Sequence, residues 1–528
     1  MRVVRLIMFC CLVALVAGAT SRVDAQGASI PGDIDGDGGA DLVVGVPAEG
    51  FGTETRAGLV SVIFSNGDRL VKAGTVGIDE TDVGGEQSAG DLFGSSIEVV
   101  DIDGDGFADI VVGSSGEAAG LEVNAGAFTV IPGSADGPVT AEAVTYRQGE
   151  GLPEIAEVDD FFGFSMTSGD FDGDGHGDLV VTAPFEDIDG FVDAGAVIVV
   201  PGSETGLVPD NAVVLHQTAA TGGLGGNEFF GWSATSGDFD GDGDDDLAVG
   251  SPGEDTRGRS NAGAVVVFDG TPDGIDPESG RLFSQAGAVR NRPEAEDFFG
   301  FDVESTDLDC DGDDDLLVGV PNETLGGAGV VAGIVNVLRG SEDGLTTAGT
   351  TRLAQGRNGV AGARDYNQFG AALATGDFDG DGCGDVAISA HTTDVGGDGV
   401  RRCAQDPNCA PEAGAVVIVY GSASWPQIGG TAHLTQRGPI GGVAQAGDFF
   451  GRTLTTLDVN GDGRDELVVG VPREDFRNVV DSGKVTVIRA NGNGLTVQRD
   501  YSFSQGGIIT GKRQAGDQFG SSLAGSTF

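Results

Sequence analysis

Basic residues are scarce in this 528-residue chain: 28 Lys and Arg stand against 83 Asp and Glu, a formal net charge of −55. That balance excludes the basic footprint of a nucleic-acid binder and disfavours anionic membrane surfaces. Histidine is scarcer still, with four residues. No nucleophile elbow, H-E-x-x-H motif or Cys–His pairing occurs, so the common marks of hydrolytic catalysis are missing. Two Trp and four Tyr offer few stacking platforms for sugars. Long apolar runs are confined to the start, where Leu6 to Ala17 follows Arg2 and Arg5. That run is too short to span a bilayer comfortably and has the layout of a signal peptide, with Ala25 favoured over Ala19 as the cleavage site. Residues 1–25 are therefore expected to be removed. The mature chain, 26–528, is expected to be one soluble, secreted domain without membrane insertion.

Cysteine is sparse as well. Of six, Cys10 and Cys11 lie in the leader. Cys403 and Cys409 bracket a short loop, and an oxidising compartment predicts a disulfide between them. For Cys310 and Cys383 the sequence leaves pairing and free thiols equally open.

What is abundant is glycine, 94 residues without a collagen period, interleaved with short Val, Ile and Leu runs. Such a chain reads as many short strands and turns. One pattern organises them. The nonapeptide D-x-[DN]-x-D-G-x-x-[DE] starts at Asp33, Asp101, Asp170, Asp238, Asp307, Asp377 and Asp458, at intervals of 68, 69, 68, 69, 70 and 81 residues. A Phe-Gly pair precedes six of these loops by eight residues, beginning at Phe93, Phe162, Phe230, Phe299, Phe369 and Phe450, and a seventh lies at Phe519. An apolar run follows every loop, a Gly-led alternating run comes later, and a Gln closes a further strand in six units. Four strand-length segments per unit and seven units predict an all-β, seven-bladed β-propeller. The first loop lacks a preceding Phe-Gly and the last Phe-Gly lacks a loop. Pairing of the N- and C-terminal segments is therefore expected to close the ring and remove exposed sheet edges.

The nonapeptides carry the chemistry. Carboxylates at positions 1, 3, 5 and 9, with Gly at position 6 for the sharp turn, suit a hard, oxygen-seeking cation such as Ca²⁺, up to seven per chain. The expected ligands are Asp33, Asp35, Asp37 and Asp41; Asp101, Asp103, Asp105 and Asp109; Asp170, Asp172, Asp174 and Asp178; Asp238, Asp240, Asp242 and Asp246. The remaining sets are Asp307, Asp309, Asp311 and Asp315; Asp377, Asp379, Asp381 and Asp385; and Asp458, Asn460, Asp462 and Glu466. These are not EF-hands, because position 12 is apolar, as in Val44 or Val112, and strands replace the flanking helices.

Phe-Gly, the acidic nonapeptide and a Gly-Val-Pro-like run (Gly45-Val46-Pro47, Gly319-Val320-Pro321, Gly470-Val471-Pro472) together resemble the FG-GAP repeat of the integrin α-subunit head. The resemblance implies calcium between the first two strands of each blade and partner recognition through the opposite face. It departs from integrins in having seven qualifying loops and neither an inserted adhesion domain nor a membrane helix. The expected function is thus a secreted calcium-binding module for adhesion to an extracellular protein or glycan ligand, not an enzyme. The alternatives are a lyase-like polysaccharide enzyme or a lectin built on a propeller. Positions repeated in every blade are expected to serve packing, so recognition is sought where the repeat breaks. The break is an insertion of about twelve residues in the sixth unit, where Arg401 and Arg402 could engage a carboxylate or sulfate.

Overall fold

The computed structural model describes residues 30–51, 55–218, 223–286, 292–325, 330–356, 367–396, 403, 409–425, 430–436, 440, 443–476, 479–506, 509 and 511–525. The leader and both insertion arginines, Arg401 and Arg402, lie outside the described residues. Within them the chain forms seven four-stranded antiparallel sheets and one additional two-stranded hairpin, Thr324–Leu325 with Val330–Val331. Helical content among the described residues is limited to two single 3₁₀ turns, Thr140–Glu142 and Pro209–Asn211, and a 3₁₀ position at Cys403.

Blade two is typical: Phe93–Val100, Asp109–Ser114, Ala127–Ile131 and Val144–Tyr146 pair in sequence order. The second and third strands are buried on both faces and read as continuous Val/Ile runs, whereas the fourth is half-exposed. Blade one departs from sequence order. Its strands Leu42–Gly45, Val60–Ile63 and Val76–Ile78 are completed by Ser522–Ala524, with Val43 opposite Ala524 and Gly45 opposite Ser522. First strands of neighbouring blades touch around a complete circuit, so the sheets stand radially about a central axis. Hydroxyls stitch these inner strands together. Ser236 donates to Ser168 O (2.6 Å), Thr375 to Ser305 O (3.0 Å) and Thr456 to Thr375 O (2.7 Å).

Burial is concentrated between blades. All seven Phe of the Phe-Gly pairs are fully buried, each within an apolar cluster that draws on two adjacent sheets. The glycine before each third strand permits this. Gly126 has φ +87°, and a Cβ there would overlap the backbone of Phe162 in the next blade. Glycine is needed both for that conformation and for that approach. The repeated Phe and Gly are therefore packing residues, in keeping with their recurrence in every unit.

Candidate functional site

In blades two to seven the nonapeptide joins the first strand to the second, and the first nonapeptide leads into Leu42–Gly45, the second strand of the blade whose first strand is Ser522–Ala524, so all seven loops emerge on one face of the ring. The first aspartate folds the turn around itself. Asp33 Oδ1 accepts from the amides of Gly36 (2.7 Å) and Asp37 (3.1 Å), while Oδ2 accepts from Gly38 (2.8 Å). Asp238 and Asp377 repeat this triple contact. Because a short polar side chain stabilises its own turn, the carboxylates at positions 3 and 5 are turned toward the first. In loops one, two and three, oxygens of Asp33, Asp35 and Asp37, of Asp101, Asp103 and Asp105, and of Asp170, Asp172 and Asp174 lie within 4.8 Å of one another.

Position 9 has a different setting. Asp41, Asp109, Asp178, Asp246, Asp315, Asp385 and Glu466 are all buried at the base of their loops. Asp41 accepts from Ile34 N (3.2 Å) and from Ser65 N (2.7 Å), tying the loop to the end of the third strand. Asp178 does the same with Phe171 and Gly202. Burial and neighbouring loop carboxylates push Asp41 up to about 8 and Asp109 to about 7. In loops one to three, three convergent carboxylates thus sit above a fourth that anchors the turn. This is an all-oxygen donor set that fits a calcium ion.

Neighbouring loops are linked. The amide at position 8 donates to the carbonyl at position 1 of the preceding loop: Ala108 to Asp33 (2.9 Å), Gly177 to Asp101 (3.1 Å), Asp245 to Asp170 (3.0 Å), Asp314 to Asp238 (2.9 Å), Gly384 to Asp307 (2.8 Å), Asp465 to Asp377 (3.0 Å) and Ala40 to Asp458 (3.0 Å). The surplus acid at position 8 joins in. Asp245 and Asp465 also accept from the amides of Asp170 and Asp377, both at 2.8 Å.

Three loops depart from the pattern. His176 lies 2.9 Å from Asp174. Arg464 lies 2.6 Å from Asp462 in the loop that carries Asn460. In loop five Arg339, from the end of the third strand, pairs with Asp309 and with Asp311 (3.0 Å). Sequence reasoning missed this internal cation, because Arg339 stands 28 residues from the carboxylate it meets. The same loop places Cys310 where most others have Gly, at φ +56°. Cys310 is bonded to Cys383 of loop six, so the pairing left open by the sequence is a bridge between blades. The predicted Cys403–Cys409 disulfide is present.

The opposite face carries the starts of first strands and the ends of second strands. Here a glutamine after the fourth strand donates to a buried glutamate of the next blade. The pairs are Gln148–Glu186 (2.7 Å), Gln217–Glu254 (3.0 Å), Gln285–Glu323 (2.8 Å), Gln436–Glu474 and Gln505–Glu49 (2.8 Å). The glutamates of the recurring Glu-Asp pairs Glu186-Asp187, Glu254-Asp255 and Glu474-Asp475 are accordingly structural. Between blades five, six and seven this face opens into a cavity of about 520 Å³, bordered by His391, Phe449, Arg452, Arg473 and Gln518. Arg473 stacks 4.9 Å over the Phe449 ring. Neither guanidinium makes an ion pair within 4 Å among the described residues. His391 is buried, and burial together with Arg452 pushes it down to about 3, so it is neutral. This basic cavity was not foreseen, because its two arginines are separated by a whole strand pair.

The FG-GAP repeat family matches residues 28–63, 93–131, 162–200, 230–268 and 450–488. Integrin alpha-PS2 of Drosophila melanogaster is 28% identical over 288 residues, which is 53% of this chain and 18% of the relative. Integrin alpha-5 of Xenopus laevis is 32% identical over 252 residues, 46% of this chain and 20% of the relative. Phosphatidylinositol-glycan-specific phospholipase D of Mus musculus is 32% identical over 213 residues, 40% of this chain and 24% of the relative. The chain therefore spans less than a quarter of the length of each of these relatives. Among solved structures, the rhamnogalacturonan lyase YesW is 13% identical at a TM-score of 0.39, covering 84% of this chain and 69% of its own. No helix among the described residues is long and apolar enough to cross a membrane.

Proposed function

From a chain that carries FG-GAP repeats in five places and has integrin alpha subunits among its homologues, we propose an exported binding module. Its acidic loops hold calcium and stiffen the ring, and its opposite face takes an extracellular ligand. The observation that carries the calcium half is the convergence of carboxylates at positions 1, 3 and 5 on loops joined by position 8 amides. Each loop brings several negative charges into one turn, and a divalent ion relieves that repulsion.

The binding half rests on the division of labour between faces. One face is committed to acidic loops, and the other holds the cavity where Arg452 and Arg473 converge on a strongly acidic protein. An acidic group on the ligand would meet two guanidiniums there. No catalytic role is assigned: the one histidine at the cavity is buried and neutral, and the Ser389 hydroxyl 3.2 Å from its Nδ1 is itself fully buried and donates to Gly451 O.

The test is capture of extracellular partners by the immobilised full-length protein, with calcium and with chelator, alongside an Arg452→Gln/Arg473→Gln variant. Capture that needs calcium and weakens in the variant supports the reading. Capture indifferent to both contradicts it, and release of products from an acidic polysaccharide would replace it with a lyase.

A further inference from the structure

The glutamine–glutamate link between blades has a single inversion of chemistry. Gln148 stands 47 residues after Asp101, and Gln505 stands 47 after Asp458. The residue 47 after Asp33, at the junction of blades one and two, is Glu80. Where five junctions place an amide donor against a glutamate, this one sets Glu80 against Glu117, with Asp91 completing the group. Two acceptors face each other across a gap that elsewhere holds an N–H, so something positive must lie between them.

We propose that Glu80, Asp91 and Glu117 form a further calcium site, distinct from the nonapeptides and on the opposite face of the ring. Oxygens of the three carboxylates lie within 4.8 Å of one another, a spread that oxygens sharing one calcium at 2.3–2.6 Å can adopt. Glu80 and Asp91 are only 6% and 4% exposed, and Glu80 Oε2 has no hydrogen-bond partner among the described residues. An acceptor buried in that state is costly unless a cation completes it. The remaining contacts are local: Asp91 accepts from Ser88 N at 2.5 Å, and Glu117 accepts from Arg147 at 3.0 Å. Three carboxylates and one guanidinium leave two negative charges, which a divalent ion balances and a single proton does not. Without a cation, burial and the Glu117 and Asp91 carboxylates push Glu80 up to about 10. Glutamate at a position that elsewhere takes glutamine thus gives this junction a metal where five others have a glutamine–glutamate hydrogen bond.

The site depends on the proposed loading of the nonapeptides only in sharing their ion, and one substitution separates the two. Glu80→Gln restores the amide donor of the other junctions, so the variant should fold. Bound calcium is measured by elemental analysis of the full chain, dialysed against buffered free Ca²⁺. The expected result is one ion fewer per chain in Glu80→Gln, whatever the count held by the loops. An Asp35→Asn variant removes its ion independently, so the double variant loses two. If the nonapeptides hold nothing, the wild type still binds one ion that Glu80→Gln abolishes. An unchanged count in Glu80→Gln overturns the proposal and leaves a proton shared by the carboxylates in its place. Should Glu80→Gln not fold, crystals of the wild type soaked in Tb³⁺ decide the matter. Anomalous density among these three carboxylates supports the site, and its absence overturns it.

Discussion

The amide of Ala40 donates to the carbonyl of Asp458 at 3.0 Å, joining residues more than 400 positions apart in sequence. It is the link that turns a row of six equivalent bonds into a circle. Because the donor at position 8 and the acceptor at position 1 flank the convergent carboxylates, an ion that fixes one loop also fixes half of a bond to the next. Calcium loading is therefore a property of the ring as well as of single turns, and the predictions below concern how the loops share that load.

In metal-free protein, stability should fall as pH rises. Burial pushes Asp41 and Asp385 up to about 8, and Asp109 and Asp178 to about 7. A carboxyl whose folded value lies above its unfolded value of about 4 costs stability once it must ionise in the fold, so stability is lost progressively as pH climbs from about 4 to between about 7 and about 8. Thermal melts in chelator should give a lower Tm at pH 8 than at pH 5. Excess calcium, which needs the ionised carboxylates, should remove or reverse that slope. A chelated Tm that rises with pH would contradict the burial described here.

Loops five and seven should be the weakest calcium sites. Arg339 already pairs with Asp309 and Asp311, and Arg464 pairs with Asp462 beside Asn460. A calcium ion entering loop five must displace a guanidinium whose pairing contributes about 1 kcal/mol. Arg339→Gln should tighten one of the weakest sites in a calorimetric titration by about fivefold. A titration identical to wild type would show that Arg339 does not compete.

Glycine at the blade seam should be far less replaceable than glycine in an open turn. Gly126 and Gly120 both have positive φ, but a Cβ on Gly126 overlaps Phe162, whereas Gly120 faces open space. Gly120→Ala should cost about 1 kcal/mol from backbone strain alone, and Gly126→Ala at least about 3 kcal/mol. Urea unfolding in excess calcium measures both, and equal losses would mean that the seam can open.

The Cys310–Cys383 bridge should tie two metal loops into one unit. It spans 73 residues, so replacing both cysteines by serine is expected to remove up to about 4 kcal/mol by relaxing the unfolded chain. The same double variant should weaken calcium at loops five and six together. Weakening at one loop alone would mean that the bridge serves the fold without coupling the sites.

The repeat made most of the fold legible. Phe93 to Phe519, the nonapeptides and the alternating runs recur at one spacing, so blade number and strand count follow from periodicity, while the placement of the acidic loops was what the resemblance implied. What escaped were contacts between residues far apart within one blade, where spacing carries no information. Arg339 enters loop five from the end of the third strand, and Arg452 shares a cavity with Arg473 because one precedes a first strand and the other follows a second. The buried role of Asp41 and its counterparts was likewise hidden, since a carboxylate that anchors a turn and one that faces a cation are spelled the same way. Glu80 lies between these cases. Its position in the glutamine register is readable from the sequence, but its consequence appears only once Glu117 is placed opposite.

The most direct test is the number of calcium ions bound per chain, set beside the melting temperature with and without EDTA. Convergent carboxylates on linked loops predict about five to eight ions per chain in millimolar calcium, and a Tm lowered by more than about 10 °C on chelation. One ion or none, with melting indifferent to EDTA, would contradict the claim that these loops are metal sites that hold the ring together.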